Sequence, residues 1–323
     1  MAYDLEFEKP LAEIEKKIGA LQKRGDRLKP EEHRQIQDLE RDLRRRTEEI
    51  YRDLTSWQTV QVARHKDRPH SLDYLSAICD DFFELCGDRA FSDDHAILGG
   101  LAQMDGETVM FVCHQKGRTM KDKQHYNNGM PHPEGFRKAA RLMRQAEKFG
   151  IPVVTLIDTQ GAFPGLEDEE RGQAEAIASN LYLMSRLRIP TLGVVIGEGG
   201  SGGALALGVT DRVLITEFGI YTVTSPESAA SIIWRSTTFA QQAADAMRIG
   251  GRDLKKLGLV DDIIIEPLGG AHHNPRLAAE HVKAAIQKNL AELQQIPLEE
   301  LLEQRYQKYR SIGHFSWATE NAH

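Results

Sequence analysis

Ile189-Pro190-Thr191-Leu192-Gly193-Val194-Val195-Ile196-Gly197-Glu198-Gly199-Gly200-Ser201-Gly202-Gly203-Ala204 is the stretch on which the fold turns. An apolar run of strand character ends in five glycines within the seven residues 197–203, then opens directly into the small-residue segment Ala204-Leu205-Ala206-Leu207-Gly208. A strand that runs through glycines into a helix leaves backbone N–H groups without partners at the positive end of the helix dipole. Without Cβ atoms, such a loop lets a ligand approach the backbone, so it suits an anion or a developing oxyanion.

Working outward, the same unit occurs one step earlier. Ile151-Pro152 introduces an apolar run at residues 153–157, followed by the glycine loop Asp158-Thr159-Gln160-Gly161-Ala162-Phe163-Pro164-Gly165 and a helix. Two copies of one motif, each with Pro where a strand can spare an N–H, imply neighbouring units whose loops lie close together. A third unit follows, with strands at 212–216 and 220–223 and a helix opened by the cap Ser225-Pro226-Glu227. Upstream, residues 96–104 and 108–113 read as a hairpin turning at Asp105-Gly106, and residues 134–149 as a helix. Successive strand, strand, helix units predict a stacked α/β spiral.

The flanks differ from this core. Leu11, Ile14, Ile18 and Leu21, then Ile36, Leu39, Leu43, Ile50, Leu54 and Trp57, recur at three- and four-residue steps in highly charged sequence, with Gly25 and Pro30 between the runs. This pattern predicts an antiparallel helical hairpin with one apolar stripe, and Arg44-Arg45-Arg46 as a solvated face. From Pro275 to about residue 310 the chain again reads as helices, followed by a polar tail. The division expected is an N-terminal hairpin and subunit-contact region over 1–68, a core over 69–274, and C-terminal helices and tail over 275–323.

A net charge of −7 over 323 residues argues against nucleic acid as the main partner. Cys79, Cys86 and Cys113 are too few and too unevenly spaced for a disulfide framework or a zinc site. They read as reduced thiols, and with no apolar run long enough to span a bilayer and no signal-like N-terminus, a cytoplasmic location is expected.

Short motifs offer competing chemistries. Gly197-x-Gly199-x-x-Gly202 with Glu217 resembles a dinucleotide fingerprint, but the helix after it has room for only about two turns. Gly199-x-Ser201-x-Gly203, with Asp261 or Asp262 and His272 or His273 downstream, follows a nucleophile-elbow order. Glycines on both sides of Ser201 point instead to backbone N–H groups as the working parts. The acidic run Glu167-Asp168-Glu169-Glu170 fits the first turn of a helix without any metal. Lys116, Arg118, Lys121 and Lys123, with Arg137, Lys138 and Arg141, form either a clamp for coenzyme phosphates or, more commonly, a solvated basic face. His272-His273, being adjacent, cannot share one face of a regular element and reads as a loop pair. No metal site is expected in the chain.

Five ordered motifs carry a more specific likeness: His114-Gln115-Lys116-Gly117-Arg118, Asp158-Thr159-x-Gly161-Ala162-x-Pro164-Gly165, Glu169-Glu170-Arg171-Gly172-Gln173, Ile196-Gly197-Glu198-Gly199-Gly200-Ser201-Gly202-Gly203-Ala204 and Glu266-Pro267-Leu268-Gly269-Gly270-Ala271-His272. Together they resemble the carboxyltransferase alpha subunit of multisubunit acetyl-CoA carboxylase, over about residues 7–312. The resemblance implies the crotonase-like (ClpP/crotonase) fold, a spiral of β-β-α units. It also implies half of an enzyme, since alpha pairs with a related beta subunit in an alpha2beta2 assembly, with the active site between them. Carboxybiotin, delivered on the biotin carboxyl carrier protein after loading by biotin carboxylase, transfers its carboxyl group to acetyl-CoA. The product is malonyl-CoA, the committed step of fatty-acid synthesis.

Carried onto this sequence, the family's biotin-side oxyanion hole falls on Gly202 and Gly203, with Gly199 and Gly200 shaping the turn. Ser201, Gly161, Ala162, Lys116 and Arg118 are expected to contact substrate. The implied cofactor pattern is none permanently bound, carboxybiotin and acetyl-CoA as substrates, and zinc only in the beta partner. Two positions depart from the family pattern, Gln160 for Pro and Ser228 for Gly. The alternatives are another acyl-CoA enzyme of this fold, with Asp158 or Glu198 as its acid or base, and a noncatalytic scaffold subunit.

Overall fold

The computed structural model describes residues 3–25 and 28–313. Its centre is a mixed sheet of β1 (Asp81–Glu84), β2 (Ile97–Met104), β3 (Glu107–His114), β4 (Val153–Thr159), β5 (Thr191–Gly200), β6 (Arg212–Thr216), β7 (Ile220–Thr222) and β8 (Asp262–Ile264). The order is β1-β2-β3-β4-β5-β6-β8, with β7 paired off this path to the last residues of β5. β1, β2 and β3 are antiparallel, and β3 through β8 pair in parallel. The predicted hairpin is present, with Asp105 at φ 51° and Gly106 at φ 85° closing it.

Helices cover both faces, which is why the central strands are apolar throughout and not alternating. All ten residues of β5 are buried. On one face α4 (Ser71–Ile78) and α13 (Pro275–Leu293) set Tyr74, Ile78, Val282 and Ile286 against Phe111, Leu156, Val194 and Leu214. On the other, α6 (Pro133–Phe149), α8 (Gln173–Met184) and α12 (Gly251–Lys256) set Leu142, Met143, Met184 and Leu254 against Met110, Val153, Val195 and Ile215. The strand-strand-helix unit is explicit at β2-β3 and at β6-β7 with α10 (Pro226–Trp234). The latter is capped, as expected, by the Ser225 hydroxyl accepting from Ser228 N–H.

The N-terminal pair α1 (Lys9–Gln22) and α2 (Pro30–Arg52) pack through Ile14, Ile18 and Ile36. Leu11 and Tyr51 join Val62 and Phe218 of the core. The acidic run does open a helix, α7 (Leu166–Glu170), but several elements gave no readable period in the sequence: the edge strand β1, the three-residue β8, and the short helices α3 (Ser56–Ala63), α5 (Met120–His125), α11 (Ala240–Met247) and α12. At the C-terminus α14 (Leu298–Arg310) follows α13. Most of the polar tail expected there lies outside the described residues. Among the described residues no helix is long and apolar enough to cross a membrane.

Two buried arginines tie the flanks to the sheet. Arg305 of α14 donates from Nε and Nη2 to the two Asp211 oxygens (2.7 and 2.8 Å), from Nη1 to the carbonyls of Met184 and Leu187, and from Nη2 to that of Ile189. Arg68 pairs in bidentate fashion with Glu266, and its Nε donates to Ile196 O at 2.9 Å. This fixes the strand just before its glycines.

Candidate functional site

The two glycine loops meet backbone to backbone at the C-terminal ends of β4 and β5. A Cβ on Gly200 would lie 2.1 Å from Gln160 O, and one on Gly203 would lie 2.5 Å from Ala162 N. Only residues without side chains allow this approach. Gly202 is different, since a Cβ there would make ordinary 3.5 Å contact with Ile177.

The turn itself is placed differently from expectation. Gly199 and Gly200 are ladder residues, opposite Thr159 and Tyr221 and opposite Thr222 respectively. The reversal falls on Ser201, at φ 54°. The chain turns there because the glycines are consumed by close packing. From Ser201 the five-residue helix α9 (Ser201–Leu205) begins, so Ser201, Gly202 and Gly203 supply first-turn N–H groups that the helix does not use. In the neighbouring loop, Gly161 stands at φ 153° and donates its N–H to Thr159 Oγ1 at 3.0 Å. That donor is already taken, so Gly161 shapes the loop. Ala162 is half-buried beside Phe136 and Ala176.

Behind the loops lies a charged cluster. Asp158 is 3 % exposed and its Oδ1 accepts from Glu198 N–H at 2.9 Å and sits 2.8 Å from Lys116 Nζ. Burial pushes the Asp158 carboxyl up, but Lys116, His70 and the Glu198 N–H outweigh it and hold the group below its usual value. A Cβ on Gly197 would strike Asp158 at 2.7 Å, which explains that glycine. Glu198 is 1 % exposed and its Oε1 accepts from Arg64 Nε (3.0 Å) and Nη2 (2.6 Å). Arg64 Nη1 in turn donates to Glu227 Oε1 at 2.7 Å.

Arg64, Lys116 and Glu198 of this relay line a cleft of about 190 Å³ together with His70, Arg118, Lys123 and Gln160. Burial lowers the pKa of His70. Across the glycine loop, Ser201 and Gly202 border a second, apolar depression of about 330 Å³ walled by Leu205, Val213, Tyr221, Val223, Leu254 and Leu259.

The basic groups therefore divide. Lys116 and Arg118 do share one cleft, but Lys116 is paired with Asp158 and Arg118 with Asp73 at 2.6 Å. Lys123 has no carboxylate partner among the described residues. Arg137, Lys138 and Arg141 leave the phosphate-clamp reading altogether. Arg137 pairs with Asp88 and Glu134, Lys138 is buried on Asp93, and Arg141 donates to backbone carbonyls.

The short-motif alternatives also come apart. Asp261 is occupied by Lys308 and by Val213 N–H, and His272 is stacked on His65. Asp262 holds Lys255, His273 faces Glu8, and none of the four is hydrogen-bonded to Ser201, so the nucleophile-elbow string has no triad among the described residues. Glu217 accepts from Arg252 and from Glu266 N–H, and α9 is too short for a dinucleotide crossover. Asp168 of the acidic run is buried on His132 and Arg171. Gln160 and Ser228 both lie at the surface. Arg64, His70 and Glu227 went unread in the sequence, because single polar residues from distant segments carry no local signal. Only their convergence on Glu198 and Lys116 marks them.

The sequence pattern of the family described as "Acetyl co-enzyme A carboxylase carboxyltransferase-like" matches residues 4–313. An acetyl-coenzyme A carboxylase carboxyl transferase subunit alpha of Xanthomonas oryzae pv. oryzae is 52% identical over 309 residues, covering 96% of this chain and 97% of its own length. Among solved structures, one chain of a Pseudomonas malonate decarboxylase hetero-tetramer in complex with coenzyme A superposes with TM-score 0.59 at 18% identity, over 74% of this chain and 94% of its own. A transcarboxylase 12S, with methylmalonyl-coenzyme A bound, superposes with TM-score 0.56 at 19% identity over 80% of this chain. The present chain spans about half of that enzyme's length, 45%. These likenesses establish the crotonase-like α/β fold.

Proposed function

The chain belongs to the acetyl-CoA carboxylase carboxyltransferase family, as an alpha subunit, and we propose that its part in carboxyl transfer is to hold the biotin side of a site completed by a beta subunit. It is a carboxyl-transferring enzyme subunit. The observation that supports the finer reading is the pairing of the two glycine loops at the start of α9, whose first turn contains Gly202 and Gly203.

The chemistry fits a site without its own acid or base. In the proposed reaction the bond between the biotin nitrogen and the carboxyl carbon breaks, leaving negative charge on the ureido group. That nitrogen takes a proton from the acetyl methyl, and the methyl carbon bonds to the released CO2, giving malonyl-CoA. The protein's work is positioning and stabilisation of charge. Asp158 and Glu198, the candidates for a hydratase-type acid and base, are neutralised by Lys116 and Arg64. That arrangement disfavours the alternative acyl-CoA chemistry.

The apolar depression beside Ser201 and Gly202 suits an uncharged bicyclic ring, so biotin is assigned there. The charged cleft suits an anion, with Lys123 contributing charge and Lys116 and Arg118 acting as ion-paired walls. The beta subunit is expected to cover the exposed Ile232 (77 %), Ile233 (64 %) and Trp234 of α10. It would bring the zinc and the donors for the acetyl-CoA enolate. The carrier protein, biotin carboxylase and an alpha2beta2 assembly complete the proposed set of partners, in the cytoplasm.

The test is the reverse reaction. Purified chain is mixed with its beta partner, malonyl-CoA and biocytin, and acetyl-CoA release is followed, with each subunit alone as control. Release only in the mixture supports the shared site; release by the chain alone, or none despite complex formation, overturns it.

A further inference from the structure

We propose that Glu8, His272 and His273 form a binding site for one transition-metal dication of the Zn2+ class, which staples the N-terminal segment to the loop after β8. Glu8 comes from the turn leading into α1, and the histidines from the loop entering α13. Their ligand atoms all lie within 4.8 Å of one another. Adjacency in sequence argued against two imidazoles sharing a face. Adjacent side chains diverge on helices and strands, but in this turn the two ring centroids are 4.5 Å apart.

The donor set is unspent. Both ring nitrogens of His272 and Nε2 of His273 are buried without hydrogen-bond partners. Buried polar atoms are normally satisfied, so one unpaired nitrogen from each ring, close to the Glu8 carboxylate, asks for a shared partner, while the second nitrogen of His272 stays outside that coordination. His273 Nε2 stands 3.9 Å from Glu8 Oε1, too far for a hydrogen bond. A tetrahedral zinc with bonds of about 2.0–2.2 Å sets its ligand atoms roughly 3.4 Å apart, so the Glu8–His273 pair at 3.9 Å draws in by about half an ångström and any wider pair, up to 4.8 Å, by as much as about 1.4 Å when the ion binds.

The surroundings have the features of an outer shell. Tyr51 Oη donates to Glu8 Oε1 and Leu5 N–H donates to Oε2 at 2.9 Å, which orients the carboxylate and leaves it lone pairs to share. The rings rest on Gly269 (φ 87°) and Gly270 (φ 97°), where Cβ atoms would lie 2.8 Å from His273 and 3.0 Å from His272. The nearby Arg68 charge is balanced by Glu266. Two imidazoles and a carboxylate suit Zn2+ and its neighbours better than Mg2+ or Ca2+, which prefer oxygen.

The neighbouring set Asp4, His65 and Asp67 is a natural control. Its His65 and Asp4 atoms are already spent: His65 Nε2 is 2.7 Å from Asp4, His65 Nδ1 accepts from Asp67 N–H, and Asp4 holds Lys66 at 2.7 Å.

Metal-free full-length protein is titrated with Co2+, then with Zn2+, and followed by visible absorption and calorimetry. The expected result is a single equivalent of Co2+ with the absorption of a four-coordinate centre, displaced by Zn2+. His273→Gln and Glu8→Gln lose this binding, Tyr51→Phe weakens it by about 10- to 100-fold, and Asp67→Asn leaves it unchanged. Circular dichroism checks that each variant is folded. Absence of stoichiometric binding by the wild type, as for a plain carboxylate–imidazole contact, overturns the proposal. So does undiminished binding in folded His273→Gln or Glu8→Gln.

Discussion

Arginine does opposite work at the two ends of this molecule. Along α2, Arg44, Arg45 and Arg46 reach Glu48, Glu49 and Asp42 one turn away, with 46–78 % of each arginine side chain in solvent. Around the sheet, Arg68 and Arg305 are nearly inaccessible, 2 % and 1 % exposed, and bind residues more than ninety positions distant. Exposed pairs are screened and give back in side-chain entropy much of what they gain. A buried guanidinium has already lost its water, so each N–H must find an acceptor, and removing one partner strands the other. The same residue type is a solubilising coat in one place and a rivet in the other.

The largest expected effect breaks the rivet. Arg305→Ala leaves Asp211 buried without its cation and should destabilise the fold by about 3–5 kcal/mol, measured by urea unfolding. A loss close to zero would mean that water or a neighbour replaces the guanidinium.

Next comes the glycine loop, where the contrast is between two adjacent residues. Gly203→Val drives a side chain into the Gly161–Ala162 backbone and should cut carboxyl transfer by about 10²–10³-fold, the loss typical of one oxyanion donor. Gly202→Ala fits against Ile177 and should retain most activity. Equal effects of the two changes on kcat would refute the assigned packing.

A smaller effect sharpens the difference between buried and exposed ionisable groups. Burial holds the His114 imidazole down at about 3, beside Gly203, with neither nitrogen in a well-formed hydrogen bond. An unfolded histidine titrates near about 6.5. The unfolded chain therefore takes up a proton as pH falls below that value, and the folded chain does not. The stability conferred by the neutral ring is complete above about 6.5 and drains away as pH falls toward 3. Asp158, held below its usual value, adds a loss only beneath about 4, the ordinary carboxylate range. His114→Met should flatten the decline of the urea midpoint between these two limits. Parallel pH profiles for the two proteins would remove His114 from the account.

The smallest effect is at the coat. Arg45→Ala on α2 should leave the thermal midpoint where it was. A clear drop would show that the hairpin's charge network is cooperative.

How much could be read from the chain depended on how far each signal travels. Gly197, Gly199, Gly200, Gly202 and Gly203 were legible because glycine density at the end of an apolar run is a local fact, and the Ile-Pro starts repeat it. The hairpin at Asp105-Gly106 and the cap at Ser225-Pro226-Glu227 are local in the same way. β1 and β8 were not, because strands of four and three residues show no period of their own, and neither adjoins a signal like the Ser225-Pro226-Glu227 cap that follows the equally short β7. The basic run from Lys116 onward was legible as charge but not as pairing. Whether Lys116 meets phosphate or Asp158 depends on a strand about forty residues away.

By itself, then, the sequence determined the strand-loop-helix units, their repetition, the amphipathic hairpin and the family, since each is written in residues that are neighbours or obey a short period. Only the tertiary structure decided that Gly203 is filled by another loop's backbone and that Ser201 makes the turn. It also decided that Arg64, Lys116, Asp158 and Glu198 form one relay, and that Glu8 meets His272 and His273. The physical reason is that burial turns a residue's chemistry into a question of partners. Partners are supplied by the packing of distant segments, on which no local pattern bears.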